Sequence, residues 1–500
     1  MARELTAPMP GIGGGVNLRD APNQLAEDEV RGLNNILLDE RGGGVKRRGS
    51  TAVSSTAARI ISIYTFYRAG ATTHILAHYA NGDLKYSADD GLTFSAITAG
   101  LSVTNPMSFE TFNNKCYMGN GVDNYASWDG TNFVTYGGAP KGKFLRLWKD
   151  TMWVSGVTAL PDRVYSSDAG DAETFGVAAW VDIAKGDGDQ ISALGTDGNI
   201  LITGKFNRGF LIYDPVTFAN RMYDYEKGIE SHFSIVGFEQ RIYYVSRRGI
   251  CVFLGDAPSE IISGNIDPIF SPDILALDKL TLSWGYVHEN RIGWTVPEVD
   301  QTVPTLQIEY YPRLPKRPFG FHRMPARCFT SVRHGTHDHL FYGKTTANKL
   351  LEAFTGGTDD GATFSGVIET RWFEWGLPLN TKYLRRARII GRGRFFVSFF
   401  RNFGTGVLST RTIDLTGDEI LWDEAGDLWD DENWGPGAIL KEIEIHPDVY
   451  GRYISFRIHD TETVERSRTV DVADVDVSIP AGEWALYGLT AHAVVMGEGL

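Results

Sequence analysis

One stretch of this chain has a clear side-chain pattern suited to local hydrogen bonding. Its residues follow the spacing SxDxGxTF: Ser87, Asp89, Gly91, Thr93 and Phe94. The spacing is typical of an Asp box, in which Ser and Asp side chains bind the backbone of their own hairpin and glycine supplies the turn. A looser copy, SSDAGDAETF, lies at 166–175. We expect a structural turn with an inward-packed aromatic ring, and no action on a substrate.

Asp boxes also occur in sialidase propellers, so an Asp-box glycoside hydrolase or depolymerase is one alternative. A sialidase-like site needs an arginine triad and a tyrosine nucleophile that face the axis. No spacing singles out three of the candidate arginines, which are Arg163, Arg208, Arg248 and Arg291. No Ser/His/Asp, Cys/His or HExxH arrangement stands out either. We therefore predict no catalytic residues, no cofactor and no enzymatic activity.

A second chemically distinctive segment, 413–437, contains nine acidic and no basic residues. Its acids alternate with three tryptophans, Trp422, Trp429 and Trp434. The segment fits a polar loop anchored by its indoles, or an acidic aromatic surface for a partner or a glycan. Calcium binding is a weaker alternative, since carboxylates are suitable hard ligands. Its candidate ligands are Asp423, Asp427, Asp430 and Asp431.

Two further groups of potential ligand residues have structural explanations. His334, His337 and His339 lie close in sequence, but they align with a hairpin tip, so a solvated turn is favoured over a metal site. Each of the three cysteines lies alone in an apolar run: Cys116, Cys251 and Cys328. An odd count without CxxC spacing predicts three buried free thiols.

The elements that position these residues come from a repeat. Seven segments share a strand, a polar tip, a second strand, a Gly-containing turn and a third strand. Their tips fall about 36–50 residues apart, near Ala71, Asn114, Asp150, Gly198, Gln240, Asn290 and Asp338. Several strands per unit at this period predict an all-β fold with a β-propeller of about seven blades over 59–362. Long alternating strands after it predict an antiparallel β-sandwich over 363–500.

Residues 1–58 are predicted to form a short, partly helical arm. Apolar residues recur at helical spacing over 26–40, at Val30, Leu33, Ile36 and Leu37, and a glycine run follows. A basic cluster comes next, Lys46, Arg47 and Arg48. The arm either packs on the propeller or closes its ring, or it docks on a neighbouring subunit through Val30, Leu33, Leu37 and the basic cluster.

Composition narrows the class of partner. The 500 residues are 42% hydrophobic and 22% charged, with a net charge of −14, which indicates a globular protein without a surface built to hold nucleic acid. No apolar run suits a secretory signal or a membrane span. We expect folding in a cytoplasm.

The opening segment resembles the start of many tailed-bacteriophage tail proteins. The matching residues are Gly14, Gly15, Asn17, Arg19, Asp20, Pro22, Leu25, Glu29, Leu33, Asn35, Gly44 and Arg48. The stretch RVYSSDAGDAETF at 163–175 is similar to the blades of the same group. The C-terminal stretches 369–393, 450–458 and 484–489 are similar to its terminal β-domains.

This resemblance implies a structural protein of the phage tail, close to the nozzle or hub proteins of short-tailed phages. Such proteins form a ring, commonly of six copies, around the DNA channel and contact other tail, adaptor or fibre proteins. The implied role covers tail assembly, DNA retention and genome ejection from the virion, with transient passage of DNA. No catalytic residues come with it. Nozzle, distal hub and side decoration stay open, and a receptor- or glycan-binding propeller is a further alternative.

Overall fold

The chain folds into two compact units in the computed structural model, which describes residues 4–70, 72–255, 257–334, 337–415, 441–460 and 484–495. The propeller unit consists of Ser50–Tyr310 and Arg323–Thr355, and the terminal unit of Met1–Gly49, Tyr311–His322 and Gly356–Leu500. These units differ from the sequence-based boundaries after residues 58 and 362, because residues 1–49 and 311–322 pack with the C-terminal residues.

Both units consist mainly of β-strands. The helical segments within the described ranges are short 3-10 turns at His232–Ser234, Gly264–Ile269 and Leu277–Leu282. None of the helices in this part of the chain is long and apolar enough to cross a membrane. The strands before the first blade are β1 (Glu4–Met9), β2 (Gly15–Val16), β3 (Glu29–Asn34), β4 (Ile36–Leu38), β5 (Gly44–Lys46) and β6 (Ser50–Ser55).

The predicted helix over 26–40 is wrong, because this segment forms β3 and β4. In β3 the pairing with a later strand shifts register between Val30 and Gly32, which is a β-bulge. A bulge inserts one extra residue into a strand, so side chains three residues apart, instead of two, point to the same buried face. Val30 and Leu33 are therefore both buried, at the spacing that also suits a helix face. Asn35 then takes a positive φ of 57° between the two strands.

The propeller consists of seven blades, which confirms the predicted fold. Six of them are four-stranded sheets, and blade 6 has three strands within the propeller unit. Blade 1 contains β7 (Ile60–Phe66), β8 (His74–Tyr79), β9 (Leu84–Ser87) and β10 (Ser95–Thr98). Blade 2 contains β11 (Ser108–Phe112), β12 (Lys115–Gly119), β13 (Tyr125–Trp128) and β14 (Phe133–Tyr136). Blade 3 contains β15 (Phe144–Trp148), β16 (Thr151–Val157), β17 (Leu160–Ser166) and β18 (Trp180–Asp182).

The remaining blades follow in chain order. Blade 4 contains β19 (Ile191–Thr196), β20 (Leu201–Lys205), β21 (Gly209–Ile212) and β22 (Asn220–Asp224). Blade 5 contains β23 (Val236–Phe238), β24 (Arg241–Ser246), β25 (Gly249–Leu254) and β26 (Ala257–Ile261). Blade 6 contains β27 (Trp284–His288), β28 (Arg291–Val296) and β29 (Leu306–Tyr310) in the propeller unit. After β30 (Phe319–His322) of the terminal unit, blade 7 contains β31 (Ala326–His334), β32 (His337–Lys344) and β33 (Lys349–Ala353).

The tips between the first two strands of three blades are tight turns without glycine. Both central residues of each turn have positive φ: Asn113 and Asn114, Lys149 and Asp150, Glu239 and Gln240. Two successive positive φ angles define a type I′ turn, whose twist matches that of the flanking strands. The short polar tips seen in the sequence are therefore the points at which each blade reverses direction.

The hydrophobic core lies between blades, since each sheet buries its faces against its neighbours. Phe66 and Leu76 of blade 1 pack with Cys116 and Trp128 of blade 2. Each of the next three junctions also buries a cluster drawn from the two blades that it joins. A single four-stranded sheet could not cover both of its faces, so stacking of successive blades creates the core.

Blade 7 is completed by a strand from the other end of the propeller sequence. Strand β6 pairs antiparallel with β33, so that Ser50 lies opposite Ala353 and Ser55 opposite Lys349. The first and last blades also touch directly. The Thr65 hydroxyl lies 2.6 Å from the Thr330 hydroxyl, and a shared core cluster includes Ile60 and Phe329. These contacts close the ring.

The terminal unit is a mostly antiparallel β-structure around one long strand, with parallel pairs between β3 and β2 and between β3 and β30. Its later strands are β34 (Val367–Thr370), β35 (Lys382–Arg401), β36 (Ser409–Leu415), β37 (Lys441–Ile445), β38 (Val449–Gly451), β39 (Ile454–His459) and β40 (Ala485–Val495). The first half of β35 pairs with β37, β38 and β40, and its second half with β36 and β39. Strand β1 pairs with β40, and β3 with β34, so the N-terminal strands belong to this unit.

A buried ion network fixes the join between blades 3 and 4. The Lys205 ammonium is fully buried and lies 2.8 Å from both an Asp162 and an Asp187 oxygen. It also donates to the Ala184 carbonyl at 3.2 Å, and Arg208 pairs with the other Asp187 oxygen at 3.0 Å. Although burial alone would raise the pKa of Asp187, the hydrogen bond from Lys205 lowers it. Every donor of the buried ammonium is therefore matched by an oxygen.

We predict that Lys205→Met destabilises the propeller by about 3–5 kcal/mol, because it leaves two carboxylates without their buried cation. Urea unfolding at neutral pH measures the difference. The control is Lys185→Met, which removes an exposed lysine that pairs with Asp182 on the surface and is expected to cost less than about 1 kcal/mol. Equal midpoints for the two variants would contradict the assignment of a structural role to this network.

Candidate functional site

The propeller unit contains a cavity of about 330 Å³ around its axis. First strands of neighbouring blades contact one another, so they surround this axis. The cavity lies where the chain enters the first strands of blades 2 to 6. Its lining residues include Asn105, Lys143, Phe144, Gln190, Glu230, His232, Phe233 and Thr281. Phe206, from the turn between β20 and β21, adds a further ring to the wall. Concave sites with a few polar groups among aromatic walls are typical of ligand pockets.

Glu230 is the unusual residue of this axial pocket. Its side chain is only 2% exposed, and the Arg247 Nε lies 3.3 Å from its Oε1 while Arg247 itself is 55% exposed. Despite that proximity, Oε1 accepts no hydrogen bond from the described residues. Burial raises the pKa of Glu230 to about 7; Arg247 opposes the shift and Asp189 adds to it. Ionisation of a buried carboxyl is costly when one of its oxygens has no hydrogen-bond donor, which is why the neutral form persists to such a high pH.

His232, beside Glu230, has a structural role. Its Nδ1 accepts the Leu194 amide at 3.3 Å, so Nε2 carries the proton and donates to the Ser108 hydroxyl 3.1 Å away. The ring also packs against Phe144, with centroids 5.1 Å apart. Burial, with a smaller contribution from Arg146, lowers the pKa of His232 to about 3. The imidazole is therefore neutral with both nitrogens engaged, which suits a connector between blades and not a proton-transfer group.

The pocket hydroxyls of blades 4 and 5 are also engaged by the backbone. Ser192 Oγ donates to the Ile229 carbonyl at 2.5 Å, and Ser231 Oγ donates to the Ser283 carbonyl at 2.7 Å. Among the described lining residues, Glu230 is the one carboxylate and Lys143 the one ammonium. The arrangement can bind a polar or charged group, with Glu230 as its strongest acceptor.

The SxDxGxTF segment ties its own turn together on the hairpin after β9. Ser87 Oγ donates to Asp89 Oδ1 at 2.7 Å and accepts the Gly91 amide at 2.7 Å, while the Thr93 hydroxyl donates to Asp89 Oδ2 at 2.6 Å. Burial alone would raise the pKa of Asp89, but the hydrogen bonds from Thr93 and Ser87 lower it. Gly91 has a φ of +88°, and a Cβ there would lie 2.3 Å from Leu350 of blade 7. Phe94 packs against the cluster between blades 7 and 1.

The residues proposed for arm docking divide into two groups. Val30 and Leu33 are buried, and so are Lys46 and Arg47, whereas Leu37 is half-buried and Arg48 is exposed. Lys46 forms an ion pair with Asp460 inside the terminal unit. The buried members of the set are therefore used within this chain. Docking on a neighbouring subunit stays a prediction, and Arg48 is the member whose side chain faces solvent.

Arg47 organises the centre of this region. Its guanidinium binds Asp359 with both terminal nitrogens, at 2.9 and 2.5 Å, and its Nε donates to Asn35 Oδ1 at 2.9 Å. The ring of Phe364 lies 4.0 Å from the guanidinium carbon. Asn35 in turn donates to the Ser365 carbonyl at 2.8 Å. The geometry is a bidentate pair in a buried setting, which a lysine could not reproduce.

Several other sequence-based candidates lie outside the described residues. They are the possible contact residues Trp422, Trp429 and Trp434, and the weak calcium candidates Asp423, Asp427, Asp430 and Asp431. Within the described ranges, no group of three or more ligand-type residues could hold a metal ion. His337 and Asp338 are exposed beside the tip of the β31–β32 hairpin, and His339 lies 2.5 Å from Glu352.

The three cysteines are free and buried, as predicted. Burial raises the pKa of the Cys251 and Cys328 thiols to about 12, and that of Cys116 well above its usual range. These thiols fill the core and are poor nucleophiles.

Sequence reasoning missed Glu230 and His232. Both lie in GIESHFSIV, the stretch that leads into blade 5. Two ionisable residues immediately before an apolar inner strand could have indicated a site in the sequence. That they lie beside residues of other blades, however, follows only from closure of the ring.

No protein-family model matches the chain, and no curated protein matches it either. Solved propeller structures do match. The computationally designed Ika8 protein is 10% identical, with 61% of this chain and 99% of that chain covered and a TM-score of 0.37. YCF48 bound to D1 peptide is 10% identical, with 65% and 98% covered and a TM-score of 0.39. BamB from Moraxella catarrhalis is 10% identical, with 64% and 96% covered and a TM-score of 0.38. The likeness concerns the fold alone.

We predict that Glu230→Gln changes how stability depends on pH. The pKa of the Glu230 carboxyl is higher in the folded than in the unfolded protein. Its contribution to the free energy of unfolding is therefore fully present below about pH 4.5 and is lost as pH rises through about 7. The variant lacks this titration. Its stability should therefore rise relative to the wild type between pH 4.5 and 8, by about 1–3 kcal/mol. Urea midpoints across this range test the effect. Glu226→Gln, which changes an acid that is 63% exposed, serves as the control, and parallel curves for all three proteins would contradict the prediction.

We predict that Arg47→Lys loosens the terminal unit by about 1–3 kcal/mol, because an ammonium lacks the planar fork that gives two parallel bonds to Asp359 and a third bond to Asn35. Hydrogen–deuterium exchange should become faster in peptides that cover 44–49 and 356–366. Arg48→Lys, at the exposed neighbour, is the matched control and should leave these rates unchanged. Unaltered exchange in Arg47→Lys would show that the bidentate pair does not stabilise the unit.

Proposed function

We propose that this chain is a non-enzymatic structural protein of a phage tail, of the nozzle or hub type. Copies of it form a ring, with six as the expected number, around the channel through which genomic DNA passes. Its work is to take part in tail assembly, to retain DNA before ejection and to present sites for other tail, adaptor or fibre proteins. It is assembled in the host cytoplasm and located in the virion tail.

The main support for this proposal is that residues of the opening motif form hydrogen bonds that stabilise the terminal unit. Asn17 Oδ1 accepts the amides of Arg19 and Asp20, both at 3.1 Å, and its Nδ2 donates to Glu29 Oε2 at 3.0 Å. Glu29 Oε2 also accepts the Ala26 amide at 3.0 Å. The residues that carry the resemblance to tail proteins thus hold the backbone of the terminal unit. Residues with such roles are the ones that proteins of one fold would share.

Asn35, later in the motif, also has a structural role in the terminal unit. It combines a left-handed backbone conformation with two side-chain hydrogen bonds, to Arg47 and to the Ser365 carbonyl. Asparagine tolerates this conformation better than most residues do. The motif therefore links the start of the chain to residues beyond 355, and a resemblance at both ends of the sequence is consistent with a single shared unit.

The composition of the axial pocket favours the structural role over the glycosidase alternative. Glycoside hydrolysis commonly uses two carboxyl groups that flank the scissile bond. The described lining has Glu230 alone, and His232 is buried and neutral. The net charge of −14 also suits a conduit, because like charge keeps DNA from adhering to the wall.

We expect the purified protein to form rings with a central channel in electron micrographs, and an antibody to it to label the tail axis of intact virions. Concentration-dependent assembly would reflect head-to-tail contacts, in which one surface of a copy meets a different surface of the next copy around the ring. Arg48→Glu tests the exposed arm residue in the same assay, with Arg333→Glu, at an exposed position of blade 7, as a control. Single propellers from micromolar to near-millimolar protein, together with lateral or absent label, would contradict the proposal. That result would favour a glycan-binding spike.

A further inference from the structure

We propose that the axial pocket of the propeller binds an organic cation, an ammonium or guanidinium group, through Glu230. This inference concerns a ligand of the propeller and does not depend on the role in a tail. The group could belong to a small free amine or to a lysine or arginine side chain of a partner, and the chemistry of recognition is the same in both cases.

The first argument is the unmatched acceptor. Glu230 is 2% exposed and lines the pocket, and its Oε1 accepts no hydrogen bond within the described part of the chain. Buried polar atoms in native proteins are mostly paired. Among the described residues that line this cavity, Glu230 alone has a buried side-chain polar atom without a hydrogen-bond partner. A cation with N–H donors supplies both the charge and the hydrogen bond.

The second argument is the local balance of charge. The charged groups that act on the Glu230 carboxyl are Arg247 and Asp189. Asp189 is engaged by backbone amides, including that of Asn207 at 2.9 Å. Arg247 lies near Oε1 without hydrogen-bond geometry and is mostly in solvent. When Glu230 is ionised, Glu230 and Asp189 together carry two negative charges and Arg247 carries one positive charge, so one negative charge is not compensated. His232 is neutral, and Lys143 belongs to the wall formed by blade 3.

The third argument is the aromatic wall. Phe144, Phe206 and Phe233 line the same cavity as Glu230. Ring faces attract cations that have left bulk water. The stack of Phe233 on Trp284, with centroids 4.2 Å apart, holds one of these rings in place. A guanidinium or alkylammonium can therefore meet a carboxylate at one end and apolar surface along its length.

Isothermal titration of the full chain with agmatine and with a capped Gly-Arg-Gly peptide tests the proposal. We expect one site per chain for at least one of the two probes, and affinity that rises from pH 6 to pH 8 as Glu230 ionises. Glu230→Gln should weaken binding by roughly tenfold or more. Glu226→Gln, an exposed acid four residues away, should bind like the wild type. Binding of agmatine alone identifies a free amine as the source, and preference for the peptide identifies a partner's side chain.

The proposal would be overturned by equal affinity of Glu230→Gln and wild type, or by no binding of either probe at about 10 mM. A Gly-citrulline-Gly peptide provides a test on the unmutated protein, because citrulline keeps the shape of arginine without its charge. If the citrulline peptide binds as well as the arginine peptide, the site does not recognise a cation.

Discussion

Burial of both faces of every blade is the constraint on which the propeller depends. A four-stranded sheet with apolar residues on both faces is not stable alone, so each blade requires a neighbour on either side. Every blade has two neighbours only when the last blade packs against the first. Strand β6 completes the last blade by pairing with β33, and Phe94 and Gly91 bring the first blade against the last. The ring is therefore closed by hydrogen bonds between residues about 300 positions apart in sequence.

Two buried groups of the propeller interior illustrate one rule, that each of their polar atoms has a partner. Lys205 is buried with an oxygen for each donor, and His232 is buried with both ring nitrogens engaged. Such fully matched groups hold blades in register and have no free donor or acceptor for a ligand. Glu230 departs from the rule, because one of its oxygens is buried at a cavity wall without a donor. An unmatched carboxylate oxygen at a cavity wall is a place where a bound ion, water or ligand can supply the missing partner.

The terminal unit shows how a degenerate motif can carry structural information. Asn17, Asn35 and Arg47 each satisfy several backbone or side-chain partners, so their identities are set by hydrogen-bond geometry and not by exposure to a ligand. The basic residues of the opening segment looked like a docking cluster. Lys46 and Arg47 are instead buried against acidic partners within the chain, and burial of an unpaired cation would have been costly. A charge cluster in sequence therefore says little about surfaces until its partners are known.

The sequence by itself determined the period of the repeat, the polar tips and the apolar runs, because turns and alternation are local properties. It also determined that the three cysteines are isolated and buried, since each lies within an apolar strand. It misjudged 26–40, where a β-bulge gives Val30 and Leu33 the three-residue spacing of a helix face. Which strand completes blade 7, which acid meets Arg47 and which carboxyl lines the axis were decided only by tertiary structure. Each depends on contacts between distant residues, and local pattern carries no information about which distant partner a residue meets.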